Sequence, residues 1–459
     1  MSINSHHPEY DQRINEWRRI DDIINRRNIT NYLMELNPQD TSTQNKKRNE
    51  SYKERAVFYS LASQTLHGFI GTIFSKVPDF EDVPALEYVR KNIDGQGNSI
   101  FQQAKSTVSE VVAKSRVGLI ATFPIVDREL SRADVEIGGY VASVNQINAE
   151  NIINWRVASF GAISKLVLVV IKQEINDSDD NYEYKPKESL RELYLENGVY
   201  SERIWIREEP RKDKLIIIEE RTPKDAKGNT WDFIPFTFVG VENNDHNVDP
   251  PNMGALVDLN IAHYRNSADF EDSVWFAGQA QPWMSGLDMD IIEEMRSKGF
   301  YVGSRELLPV PEGGQFGFAA APPNPVVKEA MADKVEMMVS VGARMIKPGG
   351  VAKTAEQSSN EKEVQYSILS LITNNVSDAY NFMLNCVLRY NGDGGEPNFK
   401  INDEFIEPEA TPQELSQIIT GYVQGTFPII DYIRYMKSNK LFDNDKSDEQ
   451  YIEELSQNG

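Results

Sequence analysis

The chain has 459 residues with a hydrophobic content of 40%, which supplies at least one large core and excludes a wholly disordered protein. Its 48 Lys and Arg residues stand against 70 Asp and Glu residues, and the net charge of −22 argues against a protein that holds nucleic acid over a broad surface, because such binding depends on cations at the phosphates. The single cysteine excludes internal disulfide bonds, and the longest apolar run, LVLVVI at 166–171, is too short to cross a membrane.

The first hundred residues are predicted to be mainly helical. EYDQRINEWRRIDDIINRR is amphipathic, and the longer segment YKERAVFYSLASQTLHGFIGTIFSK repeats apolar residues at roughly helical intervals. The apolar positions of this second segment are Ala56, Tyr59, Leu61, Leu66, Phe69 and Ile73. The prolines of VPDFEDVP are typical of a boundary and are expected to end this helical part.

Residues 101–253 are predicted to mix helix and sheet. FQQAKSTVSEVVAKSR has the pattern of a further helix and is followed by a strand at RVGLIATFPIVD. The segments NIINWRVA, SKLVLVVIKQEI, LRELYLENGVYSERIWIRE and DKLIIIEERT are rich in β-branched and aromatic residues, which favours strands. Glu196, Asn197 and Gly198 are typical of a hairpin turn, so we expect a mostly antiparallel sheet and an α+β fold class.

A different organisation begins at residue 254. GALVDLNIAHYRNSADFEDSVWF, residues 254–276, predicts a helix. Residues 278–323 predict a compact insert with a short strand at QPWM and a helix at DMDIIEEMRSK. Asn324 and Pro325 match the N-cap and first-turn proline of a second helix, which we expect over 324–346.

A long helix is expected after the short segment MIKPGGVAKTAEQSS, residues 345–359. Ser358 and Glu361 have the spacing of a capping box, which predicts that this helix begins there and extends to residue 391, over roughly 45–50 Å. Its apolar stripe would comprise Val364, Ile368, Leu371, Val376, Ala379, Met383, Cys386 and Tyr390. After it the sequence predicts one strand, two helices and a solvated acidic tail.

The GGVAKT part of this segment resembles the end of a phosphate-binding loop without matching the full motif. In G-x-x-x-x-G-K-[ST], Lys353 and Thr354 fit, whereas Lys347 and Ala352 stand at the two glycine positions. The motif also needs a preceding strand, and here a helix is predicted instead. Because a connector between two helices explains the proline and the glycines, we expect no nucleotide site.

Other motifs with metal-like spacing also fail on their context. DSDDNYEYKPKE, 177–188, is spaced like a calcium loop, but Tyr182 stands where the sharp turn needs glycine, so a polar hairpin tip explains it better. The five histidines lack the spacing of a metal site, apart from the adjacent pair His6 and His7 near the N-terminus. We therefore expect no metal site and no cofactor.

The remaining conspicuous side chains are predicted to be structural. Cys386 lies on an apolar helix face and is expected to be a small buried hydrophobe. Trp275 and Trp283 flank the start of the insert and are expected to be packing anchors. No pattern predicts a catalytic residue, so we expect a protein that is not an enzyme, without a signal peptide and without membrane association.

The order of these parts resembles that of the portal proteins of tailed bacteriophages. In both, a helical and α+β body is followed by a helix, a compact insert, a returning helix, a short glycine-rich loop and a very long helix. Local strings across nearly the whole chain are similar to a portal subgroup often described only as a phage domain of unknown function. They are YKERAVFYSLASQTLHGFIGTIFSKVP, INAENIINWRVASFG, IPFTFVG, LNIAHYRNSADFEDSVWFAGQAQPW and TAEQSSNEKEVQYSILSLITNNVSDAYNFML.

The resemblance implies the portal fold, with a mixed wing of helices and antiparallel sheet, a helical stem, a small α/β clip, a long tunnel helix and a short helical crown. The corresponding parts would be the wing at 1–100 and 101–253, the stem at 254–277 and 324–346, the clip at 278–323, the tunnel loop at 347–357, the tunnel helix at 358–391, and the C-terminal wing strand, crown helices and acidic tail at 392–459.

The resemblance also implies a function. Portal proteins form a homo-oligomeric ring, usually of twelve subunits, at one vertex of the capsid. The terminase packages double-stranded DNA through the ring, and the DNA later leaves through it. The implied partners are the terminase large subunit, head-tail adaptor or neck proteins, and the major capsid or scaffolding protein. The implied locations are the virion and, during assembly, the host cytoplasm.

Within such a ring, Lys347 and Lys353 would supply two bands of cations toward the DNA. Gly349 and Gly350 would give the loop between them the freedom to move. Each lysine–phosphate contact near water is weak, so a ring of them would centre the duplex without stopping it. The alternative is that these lysines pair with neighbouring carboxylates.

Two stem residues are candidates for the subunit interface. Arg265 and Asp269 are spaced to pair along the helix at i, i+4, or to reach the next subunit. Two other classes of protein are alternatives to the portal. One is an NTPase or nuclease that uses the acidic clusters, and the other is a different connector or ring protein of a virion.

Overall fold

The computed structural model describes residues 2–81, 83–124, 140–161, 163–178, 180, 182–208, 214–279, 281–298, 310, 312–319, 325–341, 355–403, 428–438, 446–448 and 450–452. The chain has a mixed α/β architecture with antiparallel sheets, which agrees with the predicted α+β class. One continuous hydrophobic core joins the N-terminal helices, the sheets and the later long helices.

The N-terminal part is helical, as predicted. It comprises α1 (Pro8–Ile24), a 3₁₀ turn (Ile29–Tyr32), α2 (Thr43–Arg55) and α3 (Leu61–Ile73). α1 begins at a proline and is amphipathic, since Tyr10, Ile14, Trp17 and Ile20 recur at helical intervals and are buried.

The segment YKERAVFYSLASQTLHGFIGTIFSK is not one helix, which corrects the prediction. Residues 56–60 separate α2 from α3 and carry no helical assignment. The backbone N–H of Val57 donates to Ser267 Oγ at 2.9 Å, and that of Ala62 donates to Asn260 Oδ1 at 3.0 Å. The side chains that accept these two hydrogen bonds, Ser267 and Asn260, therefore lie about two hundred residues later in the chain than the break between α2 and α3.

A three-stranded sheet lies beside the next helix. The elements are β1 (Asp79–Glu81), a 3₁₀ segment (Pro84–Arg90), α4 (Ile100–Lys114), β2 (Arg116–Thr122), β3 (Ser143–Asn148) and, later in the chain, β9 (Phe236–Gly240). The strand order is β3-β2-β9, with both pairings antiparallel. α4 begins with a capping box in which Ser99 and Gln102 satisfy each other's backbone N–H groups.

The second sheet is an antiparallel meander of five strands in sequence order. The strands are β4 (Ile152–Phe160), β5 (Ile163–Asn176), β6 (Pro186–Glu196), β7 (Val199–Arg207) and β8 (Leu215–Arg221). Asn197 and Gly198, with φ of 51° and 76°, form the predicted two-residue turn between β6 and β7. The segment 177–188 connects β5 to β6 and extends into the start of β6, which confirms the hairpin prediction.

The middle of the chain forms a helix pair joined by an insert. α5 (Gly254–Gly278) leads into β10 (Gln281–Met284), α6 (Met289–Lys298), β11 (Phe316–Ala319) and α7 (Pro325–Val341). β10 and β11 are antiparallel, and α5 and α7, which enter and leave this hairpin, pack side by side. The helix–insert–helix order predicted from the sequence is confirmed, and β11 was not predicted.

The last helices return to the body. α8 (Ala355–Asn391) has 37 residues, about 55 Å of helix. Because it already includes Ala355, Ser358 is not its N-cap, and the predicted capping box is wrong. β12 (Asn398–Lys400) pairs with β1, and α9 (Ile429–Ser438) follows. The first of the two predicted C-terminal helices lies outside the described residues.

Candidate functional site

The loop residues on which the sequence argument concentrated lie outside the described part of the chain. These residues are Lys347, Lys353, Gly349 and Gly350. Their contact with DNA stays a prediction. The described residues define how α5, α7 and α8 are held.

α5 is fixed to α2 by a shared carboxylate. Asp272 accepts from Arg48 Nη2 at 2.7 Å and from Arg55 Nη1 at 2.6 Å, and its side chain is only 15% exposed. The Arg55 guanidinium also lies over the ring of Trp275, 4.1 Å from its centroid. Trp275 therefore has a packing role in this arrangement, as its sequence context predicted.

The two residues proposed for the subunit interface make contacts within the chain. Arg265 Nε donates to the carbonyl oxygen of Tyr32 at 2.9 Å, and Asp269 Oδ1 accepts from the hydroxyl of Tyr52 at 2.6 Å. Burial, together with this hydrogen bond, raises the pKa of Tyr52. No ion pair between Arg265 and Asp269 is present among the described residues. Their contact with a neighbouring subunit stays a prediction.

The opposite side of α5 carries amide and hydroxyl groups that serve the 56–60 segment. Asn260 Nδ2 donates to the carbonyl oxygen of Tyr59 at 2.9 Å, in addition to accepting from Ala62, and Asn260 is fully buried. Ser267, seven residues later on the same face, accepts from Val57. The role of neither residue was predicted from the sequence. Two polar side chains at i and i+7 on an otherwise apolar helix face indicate a buried hydrogen-bonding position, and this pattern could have identified them.

His263 lies buried near α7. Its ring is 6.0 Å from that of Tyr59, and its Nδ1 has no hydrogen-bond partner among the described residues. Burial, and to a smaller extent the nearby ammonium of Lys334, lower the pKa of His263. The imidazole is therefore held neutral beside α7.

The described part of the insert shows no core of its own. None of its residues whose exposure is described, 281–293, 297, 310 and 312–319, is buried. Trp283 packs over Gly317, where an added Cβ would lie 3.0 Å from the indole, yet Trp283 stays 43% exposed. A two-stranded ribbon with so little buried surface is marginal in water by itself.

Exposed apolar side chains are concentrated on the helix pair and the insert. At the end of α5, Phe276 is 60% exposed, and in the insert Phe318 is 56% exposed. The others of this group are Val274, Trp275, Trp283, Met289, Val310, Val326, Met337 and Val341. Apolar surface of this density, next to a weakly packed insert, is typical of a protein–protein contact region.

α8 is anchored in the body by its C-terminal two thirds. Asn381 donates to the carbonyl oxygen of Phe399 and accepts from its N–H at 2.7 Å, and so holds β12. The Tyr380 hydroxyl lies 3.0 Å from Thr107 Oγ1 of α4, and Asn375 donates to the carbonyl oxygen of Val241 at 2.8 Å. From residue 368 on, where its side chains are described, α8 therefore cannot shift without disturbing the core.

Cys386, on the same helix, is buried as predicted. Burial raises the pKa of its thiol to about 12. A thiol in this state is a poor nucleophile, which agrees with a packing role.

The described surface carries polar clefts. One, of about 340 Å³, lies between the end of α8 and the loop at 225–229 and is lined by residues such as Asp225, Arg389 and Asp393. Among the described residues no group of three or more His, Cys, Asp and Glu side chains is placed to hold a metal ion. In the same part of the chain no helix combines the length and the apolar character needed to span a bilayer.

A domain family matches the helix pair, the insert and the long helix. Residues 252–391 match the family described as Domain of unknown function (DUF4055). The comparison with curated proteins gave no significant match. This family match begins just before α5 and ends at the last residue of α8.

Two solved structures align with most of the chain. One is a chain from the neck of an empty GTA particle computed with C6 symmetry, at 13% identity and a TM-score of 0.40, covering 81% of this chain and 87% of that chain. The other is a chain from the neck of a native GTA particle computed with C12 symmetry, at 12% identity and a TM-score of 0.40, covering 81% and 88%.

Proposed function

We propose that this chain is a portal-type protein, several copies of which form a ring around a channel for double-stranded DNA at one vertex of a phage capsid. The observation that carries the proposal is the unit of α5, the insert and α7. This unit projects apolar side chains into solvent while its insert has no buried residue among those described.

Neighbouring copies would complete the unit. A two-stranded ribbon with no buried residue among those described is marginal in water by itself. Placed side by side in a ring, such units would cover Phe276, Trp283 and Phe318 against the next copy. Apolar side chains that are exposed in one chain and covered in the assembly are expected of a permanent oligomer.

The long helix gives the loop at 347–357 a fixed base. Because α8 is anchored to α4, β9 and β12, the loop that precedes it would keep a constant position in every copy. In the proposed ring this loop points to the channel, with Lys347 and Lys353 toward the DNA. The surrounding surface would be acidic, in keeping with the net charge of −22, and would keep the phosphates from adhering.

The insert would be the docking end. α5 has 25 residues, so the insert lies about 37 Å along the helix axis from the start of α5 in the body. We propose that it binds the terminase large subunit during packaging and the adaptor or neck proteins afterwards. In this scheme the body contacts the capsid or scaffolding protein. ATP hydrolysis would belong to the terminase and not to this chain.

A packaging assay tests this function. Rings carrying Lys347→Glu and Lys353→Glu are compared with wild-type rings and with rings carrying Lys91→Glu and Lys105→Glu, two lysines exposed on the body. We expect the loop variants to package less DNA while their rings stay intact and the body variants to package normally. Normal packaging by intact loop-variant rings would contradict the DNA contact, and heads that package without any copy of this chain would contradict the portal function.

A further inference from the structure

The two helices that carry the insert are held in different ways. The Asp272 carboxylate of α5 accepts from Arg48 and Arg55 of α2, and the buried Asn260 of α5 accepts from the backbone at the start of α3. Nine of the 25 residues of α5 are buried. Polar contacts and burial together therefore fix α5 to the N-terminal helices.

α7 is attached through one face. Of its 17 residues, Met338 alone is buried. Its side-chain hydrogen bonds, from Lys334 to the carbonyl oxygen of Ala330 and from Ser340 to that of Met337, stay within the helix. Among the described residues, no ion pair and no side-chain hydrogen bond joins α7 to another element. The residues of α7 that are not exposed lie on one face, which packs on α5, and are Val327, Ala330, Met331, Lys334, Val335, Met338 and Val339. Apolar contact is therefore what holds α7 on α5.

His263 is buried on α5 close to this contact. It is 6% exposed, and its Nδ1 has no hydrogen-bond partner among the described residues. Two titratable side chains face it: Tyr59 of the 56–60 segment, with a ring centroid 6.0 Å away, and Lys334 of α7. In the described part of the chain no carboxylate shifts the pKa of His263. A proton on this imidazole would therefore place a second cation near Lys334 with no anion to balance it.

The closed and open forms of the contact between α5 and α7 differ in their affinity for that proton. Burial, and to a smaller extent the ammonium of Lys334, lower the pKa of His263 from 6.5 while α7 is in place. When α7 separates, water reaches the imidazole and the ammonium moves away, so the pKa returns toward 6.5. The proton therefore binds more tightly to the open form, and acid favours opening.

We propose that acid detaches α7 from α5 by local opening, while α5 stays fixed to the N-terminal helices. Elements with few buried side chains and few polar contacts open at the lowest free energy, and α7 meets both conditions. α7 leads from the insert to the loop at 347–357, so its detachment changes how both are held. This inference goes beyond the ring function and does not depend on it.

The titration of one group limits the size of the effect. Between pH 6.5 and about pH 5, a single proton can change the opening equilibrium by at most about thirtyfold. Because the closed form also binds the proton, although more weakly, we expect a change of about tenfold. Above pH 6.5 the imidazole is neutral in both forms, so the opening equilibrium should no longer depend on pH.

Hydrogen exchange measured by mass spectrometry tests the opening in the full-length chain. Peptides from α7 are compared with peptides from α5 at about pH 7.5 and about pH 5, after correction for the chemical exchange rate. We expect the protection of α7 to fall by about tenfold on acidification and that of α5 to change by less than about twofold. Equal protection of α7 at the two pH values, or a parallel loss of protection in α5, would overturn the proposal.

Glutamine variants distinguish His263 from a general effect of acid. His263→Gln should remove the response of α7, and His67→Gln, at an exposed histidine of α3, should keep it. Lys334→Gln leaves the buried histidine in place and should weaken the response, whereas Lys328→Gln, at an exposed lysine of the same helix, should leave it unchanged. A full response in His263→Gln would contradict the proposal. If that variant does not fold, equal responses in the two lysine variants would contradict it instead.

Discussion

Removing the charge of Asp272 should loosen α2 from α5 without changing the shape of the contact. In Asp272→Asn the two guanidinium donors at 2.6 and 2.7 Å lose their shared carboxylate. Hydrogen bonds to charged groups are worth about 1.5–3 kcal/mol when buried. Because Arg48 is 40% exposed and Arg55 22% exposed, solvent screens part of this interaction, and we expect a loss of about 2 kcal/mol in the free energy of unfolding.

The measurement is a double-mutant cycle in urea with Asp272→Asn and Arg55→Gln. Tryptophan fluorescence suits it, because Trp275 lies directly under the Arg55 guanidinium. We expect a coupling energy of about 1 kcal/mol between the two sites. The matched control is the pair Glu183 and Lys185, 3.0 Å apart with both side chains more than half exposed, where we expect about 0–0.5 kcal/mol. Equal coupling in the two cycles would refute the reasoning that partial burial strengthens the Asp272 contact.

Three further predictions follow from buried groups. Because the pKa of His263 is lowered from 6.5, this residue binds fewer protons in the folded chain than in the unfolded chain. The stabilising contribution of the neutral imidazole is therefore complete above pH 6.5 and decreases as the pH falls below 6.5. His263→Gln should flatten this part of the pH profile of urea unfolding, and an unchanged profile would contradict the prediction. Cys386, whose pKa is raised to about 12, should react with a maleimide only after unfolding, so labelling of the native chain would contradict its burial. In Gly118→Ala the new Cβ would lie 2.6 Å from Phe236 Cζ and 2.9 Å from Ile152 Cδ1. The free energy of unfolding, measured by thermal unfolding, should therefore fall by about 1–3 kcal/mol. A smaller decrease would mean that the ring of Phe236 moves freely.

Local signals in the sequence accounted for most of the elements. The Asn197–Gly198 turn follows from the ease with which these two residues adopt positive φ, and the meander follows from the apolar strands on either side. The helix at Gly254–Gly278, the strand at Gln281–Met284 and the helix at Met289–Lys298 were predicted within a few residues. These features depend on residues that are neighbours in the chain, which is why the sequence alone was sufficient.

Features decided by distant residues could not be predicted. The break at 56–60 depends on Asn260 and Ser267. A strand was predicted after the long helix, but its pairing with β1, more than three hundred residues earlier, was not. The spacing of Arg265 and Asp269 suggested an ion pair along the helix, yet each has a closer partner in the N-terminal part, Tyr32 and Tyr52. Helical periodicity shows which side chains share a face but not what lies opposite that face.

Negative-stain imaging of the purified full-length chain tests the central claim most directly. We expect closed rings of uniform size, with a central opening wide enough to admit a DNA duplex and with the inserts gathered at one end. Solitary compact particles at every protein concentration, or rings without a continuous opening, would contradict it.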